Sequence, residues 1–101
     1  MDNRPDLQTI FEDLLESKNV YFQPPENIRM SYPAIVYSLD YIENRQANNS
    51  VYNSRARYSA TYITDDPDDP IIRKIVTLPL CSFDRHYKSD NLNHYVYTIY
   101  Y

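Results

Sequence analysis

Apolar positions recur at two different periods along the chain, and the changes of period divide it into elements. From Pro5 to Ser17, Leu7, Ile10, Phe11, Leu14 and Leu15 fall at helical spacing on one stripe. Pro5 suits a first helical turn, and Asp6 sits where the positive end of the helix dipole favours a carboxylate. This pattern predicts an amphipathic helix ending near Lys18-Asn19, with Asn19 taking the left-handed cap.

The period then drops to two. Val20-Tyr21-Phe22 reads as a short strand stopped by Gln23-Pro24-Pro25. From Ala34 to Glu43, Ile35, Tyr37, Leu39 and Tyr41 share one parity, and Val36, Ser38, Asp40 and Ile42 the other. Residues 44–50 are polar turn formers. From Arg55 to Thr64, Ala56, Tyr58, Ala60 and Tyr62 alternate with Arg55, Arg57, Ser59 and Thr61. Residues 34–64 therefore read as one long antiparallel hairpin with a polar tip and a basic start to its second arm.

The run Asp65-Asp66-Pro67-Asp68-Asp69-Pro70 has the look of a metal loop, but it lacks the glycine and distal glutamate of an EF-hand. It reads better as a helix start, with Asp69 as N-cap and Pro70 in the first turn. The helix is expected through Ile71, Ile72, Ile75, Val76 and Leu78, ended by Pro79. Two strands follow, Cys81 to Tyr87 and His94 to Tyr101, joined through residues 88–93. Both faces of the last strand are apolar, which suits a central strand or one whose outer face meets another subunit. The order predicts an α+β fold, a single two-layer domain over residues 1–101: an antiparallel sheet with a long β-hairpin and two helices packed on one face.

Composition narrows the function. The net charge is -4, against the electrostatics of nucleic-acid binding. With no glycine, phosphate-cradling loops are excluded, and no cofactor motif is present. One cysteine rules out an internal disulfide, no apolar run approaches a membrane span, and the N-terminus is not signal-like, so a soluble protein of a reducing compartment is expected. Twelve tyrosines and no tryptophan suit both strands and subunit contacts.

One stretch, CSFDRHY at 81–87, holds the parts of a cysteine hydrolase. Strand alternation sets Cys81 and Phe83 on one face, and Asp84 and His86 on the other, so the thiol faces away from its would-be activators. Ser82, Asp84 and His86 share a face, but Ser82 and His86 lie ~13 Å apart along a flat strand. The remaining options are His94 as a base from the neighbouring strand, or His86 and His94 holding a metal with a carboxylate. The bland reading, a buried small hydrophobe, suits Cys81 better.

The phrases NVYFQPPENIRMSYPAIVYSL and LPLCSFDRHYKSDNLNHYVYTIYY resemble a family of tailed-phage (siphovirus) structural proteins, the tail terminator or tail completion proteins of head–tail joining, from about Leu7 to Tyr101. The resemblance implies a non-enzymatic virion protein of the tail or neck, assembled in the host bacterial cytoplasm. It would form a hexameric ring on the head-proximal end of the tail tube, stop polymerisation, and meet the major tail tube protein and the head-completion or connector proteins. DNA would pass through its lumen. Subunit-interface or lumen positions would then be Arg45, Asn48, Asn49, Tyr52, Arg55, Arg57 and Tyr58 on the hairpin. Asp84, Arg85 and His86, with Asp90, Asn91, Asn93 and His94, would be a hairpin signature, the Asp and Asn residues making turns that glycine usually makes. A head-completion or connector protein binding the portal side is the alternative in the same setting. A small cysteine- or metal-dependent hydrolase is the alternative of another class.

Overall fold

The computed structural model describes residues 4–47 and 50–101, with the side chains of residues 4, 43–47 and 50–55 outside that description. The elements are α1 (Arg4–Leu15), β1 (Val20–Phe22), β2 (Ala34–Ala47), β3 (Ser50–Thr64), α2 (Ile71–Ile75), β4 (Cys81–Ser89) and β5 (Leu92–Tyr100). They form one five-stranded sheet in the order β1-β2-β3-β5-β4. The α+β fold expected from the periodicity is present, with one difference in pairing. β1 runs parallel to β2, with Val20 opposite Ile35, so the sheet is mixed. The other three pairs are antiparallel.

One face of the sheet carries the core. Ile35 and Tyr37 of β2 lie beside Tyr62 and Ala60 of β3, which lie beside Tyr95 and Tyr97 of β5. Leu7, Phe11 and Leu15, spaced one helical turn apart on α1, and Ile75 of α2 pack on that face. Polar tips fasten both helices. The Tyr37 hydroxyl donates to Gln8 Oε1 at 2.6 Å, and Gln8 Nε2 donates to the Val20 carbonyl at 3.0 Å. The Tyr97 hydroxyl donates to the Ile72 carbonyl at 2.6 Å. Tyr37 and Tyr97 suit the core because each ring buries while its hydroxyl finds an acceptor on a helix.

Several local expectations are corrected. The left-handed residue after α1 is Glu16 (φ 57°). Asn19 instead ties the chain to β2: its carbonyl accepts the Ile35 N–H at 3.0 Å and its amide donates to the Pro33 carbonyl at 3.4 Å. α2 stops at Ile75 rather than running to Leu78, and Val76 is exposed. The strands of the hairpin reach Ala47 and Ser50, well into the stretch expected as a turn, because polar residues pair as readily as apolar ones where neither face must be buried.

Candidate subunit interface

Two regions stand out from the core, and each is built by the residues beneath it. The first is an arm. β5 pairs with β3 only over Arg57–Thr64, and β1 with β2 only over Ile35–Tyr37. Beyond those limits β2 and β3 pair only with each other, out to Ala47 and Ser50, and the molecule reaches 51 Å in its longest dimension. The pairing shifts register between Leu39 and Tyr41. The extra residue, Asp40, returns Leu39 and Ile42 to the same face as core Tyr37, beside Tyr58 and Ala56 respectively. Leu39, Tyr41 and Ile42 are all exposed there.

At the base of the arm Arg57 Nε donates to Asp40 Oδ2 at 2.9 Å, and its guanidinium stands 5.2 Å from the Tyr41 ring centroid. Hydrogen bonds to Tyr100 and to Asp40 raise its pKa. Arg57 is thus engaged within its own chain and is a fastener at the root of the arm. Tyr58 requires a correction: at 5% exposure it belongs to the core, where its ring meets Phe22 and Tyr37, and it presents no surface to a partner. Of the other expected arm residues, Asn48 and Asn49 lie outside the described residues. Arg45 and Arg55 are placed by backbone register alone, Arg45 opposite Asn53 and Arg55 opposite Glu43, and Tyr52 is the residue skipped where the register shifts between Arg45 and Gln46.

The second region surrounds CSFDRHY, now strand β4 at the sheet edge. A bulge between Phe83 and Arg85 overturns the expected alternation. Cys81, Phe83 and His86 oppose Ile99, Tyr97 and Tyr95, so all three share the helix-bearing face. The extra residue, Asp84, absorbs one step of the pleat. Cys81 and His86 are nevertheless four residues apart along β5, ~13 Å at the usual strand rise. Burial pushes the Cys81 thiol up to about 11, so it is protonated at neutral pH and poorly nucleophilic. His94 opposes Tyr87, one step from the Tyr95–His86 pair, and so takes the other face. The two imidazoles cannot share a metal from opposite sides of the sheet. Among the described residues no three His, Cys, Asp or Glu side chains are grouped to hold a metal ion.

The histidines have structural partners instead. His86 stacks on Tyr95 at 4.6 Å and His94 on Tyr87 at 4.7 Å between ring centroids, one pair on each face. His86 Nε2 and Asn93 Oδ1 are 3.1 Å apart, a bond that staples β4 to β5. Asp90 (φ 53°) and Asn91 (φ 63°) make the two-residue turn, in the left-handed region where Asp and Asn are the best substitutes for glycine. Arg85 pairs with its neighbour Asp84 at 3.2 Å on the surface, and its guanidinium stands 6.0 Å from the Tyr87 ring centroid.

Between this hairpin and α2 lies an open groove of about 500 Å3. Tyr95 and Tyr97 line it, Phe83 and Val76 stand half exposed beside it, and the Asp-Pro loop borders it through Pro67, Asp68 and Pro70. Sequence reasoning missed this groove, since its lining comes from three separated segments. The loop itself is organised by its carboxylates. Asp69 Oδ1 accepts the Ile71 N–H at 3.0 Å, and Oδ2 accepts the Tyr62 hydroxyl at 2.5 Å and the Thr64 hydroxyl at 3.3 Å. Asp66 Oδ1 accepts the Asp68 N–H at 2.9 Å. The N-cap position is Pro70, one residue later than expected, and Asp69 precedes it while its carboxylate still takes up the first helical N–H. Burial, then the nearby Asp68, Asp66 and Asp69 charges, raise the Tyr95 pKa. No helix among the described residues is long and apolar enough to cross a membrane. The chain matches no protein-family model and no curated protein.

Proposed function

We propose that this chain is a structural subunit that associates head to tail into a ring, a hexamer, which caps the head-proximal end of a tailed-phage tail tube. The ring ends tube polymerisation and offers its other side to the head-completion or connector proteins, with DNA passing through the lumen. In this reading the protein resides in the virion neck and has no catalytic role.

The observation that carries the reading is a pair of unlike exposed apolar patches. One, Leu39 and Ile42, is on the core-side face of the projecting arm, with Tyr41 exposed on its other face; the other, Val76, Leu80 and Phe83, is around α2 and the edge strand β4. Exposed apolar groups of this size on a small domain mark association surfaces. Two different patches on one chain suit head-to-tail contacts, which close into rings when the rotation per subunit allows. The signature phrases supply the phage setting. The separation of Cys81 from His86 and its protonated thiol support a non-catalytic role.

Electron microscopy of tail tubes mixed with the purified protein tests this. A ring at one end of each tube, with tube elongation halted, is the expected outcome. Tubes that bind no protein at either end, and elongate unchanged, would sink the reading.

A further inference from the structure

The groove beside α2 and the arm are displaced from each other along the sheet. Tyr97 and Tyr95 of the groove pair with Ala60 and Tyr62, while the arm begins at Ala56, four to six residues back along β3 and ~14–20 Å away at the usual rise. They also sit toward opposite edges: β2 is separated from β4 by β3 and β5, ~14 Å in the plane of the sheet. An arm that runs along β2 and β3 away from the groove cannot fold back onto it. If either surface is covered by this sequence, a second copy must cover it.

We propose that the base of the β2–β3 arm, led by Leu39 and Ile42, seats in the groove between α2 and the β4–β5 hairpin of a second copy of this chain. The contact deepens the ring reading above and rests on it for closure into a ring. Shape, polarity and charge each favour this occupant. A groove of about 500 Å3 is sized for a few side chains and is open to entry from solvent. Its half-exposed apolar lining, Phe83 and Val76, matches Leu39 and Ile42, and Asp68 and Arg73 are its exposed charged lining. Burying each of these four half-exposed apolar side chains removes surface that the other described residues leave uncovered.

Charge sets the polarity of the contact. The loop at the groove carries Asp65, Asp66, Asp68 and Asp69 against Arg73 on the α2 side of the lining, and among the described residues none of the four carboxylates is in an ion pair. Arm residues 39–57 carry Arg45, Arg55 and Arg57 against Asp40 and Glu43, with Arg57 paired to Asp40. Each copy thus offers a basic arm and an acidic groove. Two arms or two grooves repel, so the arrangement favours arm-to-groove docking over a two-fold dimer.

A paired charge reversal tests the contact. The variants D66K/D68K and R45E/R55E reverse charges on the exposed loop and on the arm, and unchanged circular dichroism melts confirm that each is folded. Sedimentation velocity of the wild type is expected to show assemblies, and each variant alone is expected to dissociate at least about tenfold more readily, since its arm and groove now carry like charge. An equimolar mixture of the two is expected to regain wild-type assembly, because alternating copies oppose unlike charges at every contact. A variant that assembles like the wild type overturns the proposal, as does a mixture that assembles no better than its components. A wild type that stays monomeric to about millimolar is assayed by its occupancy of tail-tube ends; monomeric and unbound, it overturns both readings. Wild-type caps on tail tubes that the variants form equally well would leave the ring reading standing and remove this contact. Charge-dependent assembly without tube capping would do the reverse.

Discussion

β3 is one continuous strand that lives in two environments. From Arg57 to Thr64 it has a partner on each side and helices above, and Tyr58, Ala60 and Tyr62 are buried. From Ser50 to Ala56 it pairs with β2 alone. Tyr58, Ala60 and Tyr62 alternate with polar residues in the first stretch, while the second, Ser50 to Arg55, is mostly polar. What also separates them is the length of the neighbouring strands: β5 reaches Arg57 and stops. Burial is therefore conferred on a strand by its neighbours, and alternation only prepares it.

The sharpest way to probe that contrast is at Tyr37, just inside the covered half. Its ring lies 5.2 Å from Phe11, 5.0 Å from Phe22 and 6.0 Å from Tyr58, and its hydroxyl holds α1 through Gln8. Tyr37→Ala is expected to cost about 3–5 kcal/mol in urea unfolding, as large aromatic truncations do. A loss near zero would mean that the helix-covered half is not the seat of stability. Next in size is Tyr62→Phe, which removes the donor to Asp69 Oδ2 while Asp69 goes on accepting the Ile71 N–H. The expected loss is about 1–3 kcal/mol for a partly buried carboxylate deprived of a bond. A neutral result would show that the Thr64 hydroxyl and water satisfy it alone. Least affected should be Ile42→Ser on the arm, within about 0.5 kcal/mol of the wild type in the same assay. Should it cost as much as Tyr37→Ala, the arm would be an extension of the core after all.

Most of the covered half was legible from the sequence. The stripe Leu7, Phe11 and Leu15 and the alternation of Tyr58, Ala60 and Tyr62 are periodic patterns imposed by burial, and the structure buries those residues. Asp69 before Pro70 was legible as a helix start, to within one residue, because capping is local chemistry. The parallel pairing of β1 was not, since three residues carry too little pattern to choose a partner or direction. The bulges at Asp40 and Asp84 were not either. Bulges are often flagged by glycine, and this chain has none, so the alternation looked unbroken across both. That hidden step placed His86 on the face opposite to the one it occupies. Tyr58 was misplaced for another reason: tyrosine serves core and interface alike, and only the neighbouring rings reveal which.

The bulge at Asp84 also bears on how the protein avoids uncontrolled growth. β4 is an edge strand of nine residues, and a flat edge of that length invites another chain to add a strand, then another. The displaced residue twists the edge out of flatness, and Arg85 and Lys88 place cations along it. Strand-by-strand addition would build an open ribbon with no natural end. With that route obstructed, association is left to shaped surfaces whose angle is fixed, and a fixed angle can produce an object of finite size.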